Sequence, residues 1–306
     1  VKTEAKTRRP GSRYDITFIG HMCYDEIVPF EGEAHVAPGS AVLCGAMSAA
    51  STGRRIAAIV RMAEADAEIV EPMREAGVEV RIVPAPVTTY NRVIHPSADV
   101  DEREMVMVRD AGRFRFEELP AFESSCVHLA GISDREFDLA FLRALSGTGV
   151  SLSTDMQSFV RQVDPDTREI RFADVPEKRE IVALLDKVKL DVVEGELLTG
   201  EKDIGRAAAA IAGWGCGEVV ITHSEGVLAR VDGREHYERF SNRSVAGRTG
   251  RGDTTFAAYL CRRMEEGPAA SLKFAAALVS LKMERPGPFR GTLADVLRRM
   301  KEAHRG

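Results

Sequence analysis

The chain has 306 residues, with 42 basic and 47 acidic side chains and a net charge of −5 when histidine is neutral. At 44% hydrophobic and 29% charged its composition is that of an ordinary globular protein, which excludes a disordered chain, a collagen-like chain and a small disulfide scaffold. The mild acidity also argues against a nucleic-acid binder, which would carry a basic excess.

Val1 to Arg13 is polar and basic, without the apolar stretch of a secretory signal, and reads as a flexible tail. Asp15 to Gly20 is a short apolar run ending in glycine, a first strand. Ser40 to Ser51, rich in small residues, predicts a helix packed closely on a sheet, and Arg55 to Val60 a strand. Ala65 to Ala76 predicts a helix stopped at Gly77, and Val78 to Val83 alternates as a strand does. Strand and helix thus alternate from the start, the mark of a parallel sheet with helices on both faces. The alternation breaks at Thr88 to His95 and Glu104 to Val108, two strands about a polar turn, Ser97 to Arg103. Together with Glu26 to Val36 they would form a small separate sheet. The rhythm resumes with Cys126 to Ala130, Phe137 to Leu145, Val150 to Thr154, Glu180 to Val188, Leu190 to Val193, Ile204 to Ala212 and Glu218 to Thr222. Gly226 to Val231 and Glu235 to Ser241 predict a hairpin about Asp232-Gly233. Helices follow at Asp253 to Glu266, Ala269 to Met283 and Leu293 to His304. The architecture expected is one α/β domain with a small β excursion. The five cysteines, Cys23, Cys44, Cys126, Cys216 and Cys261, are odd in number and widely spaced, which reads as reduced thiols in a cytoplasmic protein. No apolar run approaches a membrane span, and no histidine has metal-ligand spacing, so neither a membrane partner nor a structural zinc is expected.

The chemistry concentrates in Gly247-Arg-Thr-Gly-Arg-Gly-Asp-Thr-Thr255, which follows a strand pattern and opens a helix with Phe256, Leu260 and Met264 on one face. Glycines at the entry let backbone N–H groups point outward, and those amides together with the helix dipole make an anion site. The spacing mimics a phosphate-binding Walker A loop, but Asp253 stands where that loop has lysine. A carboxylate there does not clamp a phosphate. It accepts the proton of a hydroxyl attacking one, while the amides of Gly250, Arg251 and Gly252 stabilise the transferred charge. An aspartate near a helix start is also favourable for the dipole alone; the surrounding residues favour the catalytic reading.

Thr249-Gly-Arg-Gly-Asp253 resembles the C-terminal signature, Thr-Gly-Ala-Gly-Asp, of the ribokinase-like (PfkB) carbohydrate kinases, and the resemblance runs from Tyr14 to Arg298. Gly20 and Asp25 match the family's first strand and its sugar-contacting aspartate. Pro38-Gly39-Ser40 stands at the di-glycine, and Thr88-Thr89 where the lid strands begin. Asp191-Val-Val-Glu194, followed by Leu198-Thr199-Gly200, matches the Asn-x-x-Glu motif and its tail. Thr222 to Gly226 is similar to the nucleotide-contacting Thr-x-Gly-x-x-Gly, and Pro286-Gly287 to a late Pro-Gly. Phe18-Ile-Gly-His21, Ala246 to Thr254, Lys273 to Ala277 and Lys282 to Pro288 look most like myo-inositol kinase-type members, with Arg248 and Arg251 the distinctive part.

The resemblance implies a ribokinase-like α/β fold over 14–306, a central mostly parallel sheet flanked by helices on both faces, with lid segments at about 26–37 and 88–110. It implies an ATP-dependent kinase, using Mg2+, acting on a hydroxyl of a sugar or polyol, myo-inositol first. Asp253 is the base. Asp25, Gly39, Ser40 and Arg248 bind substrate, while Thr222, Gly226, Glu194 and Asp191 bind the nucleotide, and Glu194 orders magnesium through water. Asp191-x-x-Glu194 is equally the pattern of a helix capping box. Lid strands in that family often pair between subunits, so a homodimer through the lid is compatible with it. A nucleoside kinase of the same fold and a catalytically silent sugar- or nucleotide-binding protein stay as alternatives. Several residues depart from the pattern. Gly247 replaces an aspartate that helps hold a monovalent cation, which puts potassium activation in doubt. Arg251 replaces a small alanine, and either reaches the phosphate or points to solvent. Leu43 and Cys44 lie where an asparagine is usual, Asp191 replaces asparagine, and His223 replaces glycine.

Overall fold

The computed structural model describes residues 13–97 and 103–302. β1 (Tyr14–His21) passes through Met22 into β2 (Cys23–Val28), and β3 (His35–Gly39) returns to α1 (Ala41–Ala50). Then come β4 (Ile56–Met62), a 3-10 helix (Glu64–Val70), α2 (Glu71–Glu75), β5 (Glu79–Pro84), β6 (Thr89–Ile94) and β7 (Glu104–Arg109). The middle of the chain holds β8 (Ser124–Leu129), α3 (Leu139–Gly147), β9 (Ser151–Asp155), α4 (Gln157–Val160), β10 (Arg161–Val163), β11 (Ile170–Phe172) and α5 (Lys178–Ala183). It ends with β12 (Lys187–Asp191), α6 (Val192–Thr199), α7 (Ile204–Ala212), β13 (Glu218–Thr222), β14 (Gly226–Val231), β15 (Arg234–Arg239), α8 (Arg251–Arg263), α9 (Pro268–Met283) and α10 (Leu293–Glu302).

A nine-stranded sheet runs in the order β15-β14-β13-β12-β9-β8-β1-β4-β5. It is parallel from β13 to β5, with β14 and β15 antiparallel at one edge. β1 and β13 are buried along their whole length, as strands covered on both faces are. Alternation in β1 sends Ile16 and Phe18 into the core shared with α1, α8 and α9, and Ile19 into the core shared with α3 and α7. A second sheet, β3-β2-β6-β7, stands beyond the carboxyl end of β1. Its central pair, β2 and β6, is parallel and the outer pairs are antiparallel. In parallel sheets of this kind ligands bind outside the carboxyl ends of the strands. Those ends here carry His21, Asp155, Asp191 and Thr222.

Three expectations need correction. The single helix over Ala65 to Ala76 is broken, because Asp66 (φ −99, ψ 18) leaves the helical region and Pro72 opens a second helix. Glu180 to Val188 and Leu190 to Val193 are divided differently: α5 ends at Ala183 and one strand takes Lys187 to Asp191. Val192 and Val193, strand-like by propensity, begin α6, because the Asp191 side chain accepts the Glu194 N–H and stops the strand. The short pair β10–β11 was not expected. The hairpin turn is as read, with Asp232 (φ 50) and Gly233 (φ 76) both in the left-handed region that a two-residue turn of this kind requires. The tail over 1–13, apart from Arg13, most of the turn Ser97 to Arg103, and the end of the last helix at His304 lie outside the described residues.

Candidate active site

The first turn of α8 is the centre of the arrangement. Gly250 caps it at φ 77, a conformation that a side chain would strain. The Thr254 N–H donates to the Gly250 carbonyl at 3.0 Å, so the helix closes from there. The Arg251 amide donates to the Arg248 carbonyl at 3.0 Å, which engages one of the three expected anion donors within the loop. Gly252 and Asp253 occupy the next positions, where N–H groups have no carbonyl one turn earlier in the helix. Asp253 is half-buried, and its Oδ1 accepts from Gln157 Nε2 at 3.2 Å. The other Gln157 amide hydrogen is spent on the Gly131 carbonyl at 2.9 Å, which fixes the amide plane and with it the carboxylate.

Beneath this turn lies a lysine that carried no motif. Lys189, on β12 and 3% exposed, donates to Asp155 Oδ2 at 2.7 Å and lies 3.9 Å from Glu194 Oε2. A methyl group at position 252 would sit 2.7 Å from its Nζ, so the ammonium presses directly against the proposed anion site. Burial pulls the Lys189 pKa down, but Asp155 and Glu194 outweigh it and the net shift is upward; the lysine is charged. Glu194 is 0% exposed, and burial raises its pKa despite Lys189. The capping box is present: Glu194 Oε2 accepts the Asp191 N–H at 2.8 Å and Asp191 Oδ1 the Glu194 N–H at 2.9 Å. That leaves Glu194 Oε1 buried without a partner. The capping reading of the motif is observed, and it uses one carboxylate oxygen while the other makes no hydrogen bond. Among the described residues no group of three metal-ligating side chains is assembled, so Mg2+ would fit here only through water and donor oxygens, on Glu194.

On the other side of Asp253 stands the small sheet. Asp25 on β2 accepts from Asn91 Nδ2 at 3.1 Å and from the Cys23 thiol at 3.5 Å, and burial raises its pKa. Gly39 lies against it so closely that a methyl group there would meet Asp25 Oδ2 at 2.0 Å. Ser40 caps α1 through its Oγ, which accepts the Leu43 N–H at 3.0 Å, and holds the strained φ of 141. Cys44, one turn on, packs against Gly250. Burial first, then the charges of Asp253 and Asp25, push its thiol up to about 12. A single thiol thus senses both carboxylates, which sets Asp25 and Asp253 about one space. His21 helps build the floor: its ring bonds Thr89 Oγ1 at 2.9 Å and the Gly112 carbonyl at 2.8 Å, and its N–H donates to buried Glu136 at 2.7 Å.

At the far end, Thr222 Oγ1 donates to the Leu190 carbonyl at 3.4 Å, 3.8 Å from where a methyl on residue 252 would be. Gly226 accepts the His223 N–H at 3.0 Å. The His223 ring stacks on Tyr237 at 5.6 Å, and its Nε2 is buried without a partner. Burial lowers its pKa, Glu225 opposes that shift, and the Arg251 charge adds to it. Arg248 lies in the loop before α8. Sequence reasoning missed Lys189, Gln157 and Asn91. Lys189 sat inside a stretch divided wrongly into elements, and Gln157 and Asn91 reach the site only through strand pairing and a short helix.

No family model matches the chain. A pyrophosphate-dependent kinase in the ribokinase family, solved with a pyrophosphate analog and myo-inositol, is 30% identical to it, with a TM-score of 0.83 over 94% of this chain and 99% of that one. The chain belongs to the ribokinase family. A ribokinase from Arabidopsis thaliana, solved with ribose and ATP, shares the fold at 19% identity, with a TM-score of 0.75 over 94% of this chain and 99% of the other. The cytidine kinase of Thermococcus kodakarensis is 26% identical over 224 residues, 70% of this chain and 75% of that protein. This ribokinase-family protein is accordingly a kinase, a phosphotransferase of the carbohydrate-kinase type, on a large mostly parallel sheet flanked by helices with a small second sheet.

Proposed function

We propose that this kinase phosphorylates a hydroxyl of a polyol, with myo-inositol the first acceptor to test, and that its donor is inorganic pyrophosphate ahead of ATP. The observation that carries the reading is the place of Asp253. It sits in the first turn of α8 with buried Lys189 beneath it on the donor side and the Cys44–Asp25 side of the cleft facing the acceptor. Asp25, with the backbone at Gly39 and Ser40, accepts hydrogen bonds from acceptor hydroxyls; Arg248 belongs to the same end. Asp253, held by Gln157, takes the proton of the attacking hydroxyl. The amides opening α8, with Lys189, stabilise the phosphoryl group during transfer. Mg2+ held through water on Glu194 would neutralise donor phosphates. The small sheet closes over the acceptor and excludes water, which would otherwise compete as phosphoryl acceptor.

Pyrophosphate is favoured over ATP by the character of the donor end. Lys189 and Arg251 would supply positive charge there, and the His223 ring stacks on Tyr237, which packs against Gly226 of the loop that resembles a nucleotide-contacting segment. The 30% identical relative is described as pyrophosphate-dependent. ATP remains the second donor, on the likeness of Thr222 to Gly226. A nucleoside acceptor is the second reading on the strength of the cytidine kinase similarity. The test is phosphorylated-product detection with Mg2+ and either donor, across myo-inositol, ribose, fructose, adenosine and cytidine. Turnover of myo-inositol with pyrophosphate supports the reading. Turnover with ATP alone removes the donor assignment, and turnover of a nucleoside alone removes the acceptor.

A further inference from the structure

Lys282 is 2% exposed and has no assigned role. It lies near the end of α9, and its ammonium donates to the carbonyls of Gly247 and Thr249, both in the loop that leads into α8. Burial pulls its pKa below the ordinary lysine value, and Cys44 and Asp253 oppose that shift. The same loop is fastened to α9 by its backbone: the Gly247 N–H donates to the Met283 carbonyl at 2.7 Å. Position 247 admits no side chain. A methyl group there would meet the Arg285 carbonyl oxygen at 1.8 Å and that of Lys282 at 2.7 Å. The aspartate that would help hold a monovalent cation in the resembling family therefore has neither the identity nor the room here, and two carbonyls of this loop are instead bonded by a lysine.

We propose that the Lys282 ammonium is a built-in monovalent cation, a positioning group that orders the Gly247–Gly250 loop and makes the kinase independent of potassium. The physical link to the chemistry is the peptide plane. In a trans peptide the C=O and N–H point to opposite sides. Lys282 holds the Thr249 carbonyl toward α9, so the Gly250 N–H of that peptide faces the other way, toward the turn that bears Asp253. A tethered charge does this without the affinity and exchange of a free ion. The inference rests on the kinase fold and the loop, whichever acceptor and donor prove correct.

The experiment has two arms. The first measures melting temperature of the wild-type protein and of Lys282→Ala in potassium, ammonium and tetramethylammonium chloride at equal ionic strength. Wild type is expected to melt alike in all three, and Lys282→Ala to gain stability specifically from potassium or ammonium. The second measures initial rates with whichever donor and acceptor turn over. Wild type is expected to be indifferent to the cation, and Lys282→Ala to lose about 100-fold in kcat with little change in acceptor KM. Potassium or ammonium is expected to restore part of that loss saturably. Potassium-specific stabilisation or activation of the wild type overturns the proposal. So does a folded Lys282→Ala that keeps its rate, or one that loses it and is rescued by neither ion. If Lys282→Ala does not fold, Lys282→Ser, which likewise empties the site, takes its place and is read by the same criteria. Complete absence of turnover by wild type would count against the acceptor and donor assignments, while the melting arm still decides the cation.

Discussion

Asp253→Asn is nearly isosteric, and its amide oxygen can still accept from Gln157, so the fold and the cleft should survive the change. What disappears is the proton acceptor. The expected result is a fall in kcat of about 10²–10⁴ with donor affinity by calorimetry unchanged; near-normal turnover would remove Asp253 as the base. Glu194 offers a second test, through stability. Its folded pKa lies above its unfolded value, so its contribution is fully present below the ordinary carboxylate range and is lost as pH rises through the raised folded value. Asp25, Glu136 and Asp155 are displaced in the same direction by burial. Glu194→Gln cannot ionise, so its melting temperature should fall less than that of the wild type between pH 5 and 8. A parallel fall in both proteins would remove Glu194 as a source of that dependence. At this scale the sequence was informative where the family is written in consecutive residues, as in Thr249 to Asp253. It was silent on Lys189 and Gln157, whose partners lie 34 and 96 positions away.

The entry to α1 joins two opposed effects in one residue. The Ser40 hydroxyl caps the helix, while its φ of 141 belongs to a region that glycine visits freely and serine does not. Glycine keeps nearly all the capping preference of serine and removes the strain, whereas alanine loses the cap and keeps the strain. Chemical denaturation should therefore find Ser40→Ala less stable by about 1–2 kcal/mol and Ser40→Gly close to wild type. Equal destabilisation by both would mean that the strain is relieved some other way. Elements were legible where local preference and packing agree, as in β13, read from Glu218 to Thr222 and found there. They were misread where a side chain overrides propensity. Val192 and Val193 favour a strand, but Asp191 imposes a helix start. The 3-10 segment Glu64–Val70 has helical periodicity without the helical dihedrals at Asp66.

At the scale of the molecule, the proposed closure of the small sheet over the acceptor predicts where dynamics should change. Acceptor binding should slow amide hydrogen exchange in β2, β3, β6 and β7 and leave β8, β9 and β12, buried in the large sheet, as they were. Equal protection everywhere would indicate general tightening and not closure. The chain's own connections define how such a movement would proceed. Gly39, Cys23 and Thr89 stand side by side in the pairing register, each at the point where its strand borders the main body. Met22 alone separates β1 from β2, and Ser40 Oγ reaches Met22 Sδ at 3.6 Å. If the small sheet closes as proposed, three strands crossing one line through such short joints would let it swing like a door on a row of pins and not slide. Radius then matters. Asp25 lies about 7 Å from the pin at Cys23 and Val28 about 17 Å, at roughly 3.3 Å per residue along the strand. The outer edge would therefore sweep more than twice as far as Asp25, so the opening is widest at the rim and smallest beside the carboxylate proposed to meet the acceptor.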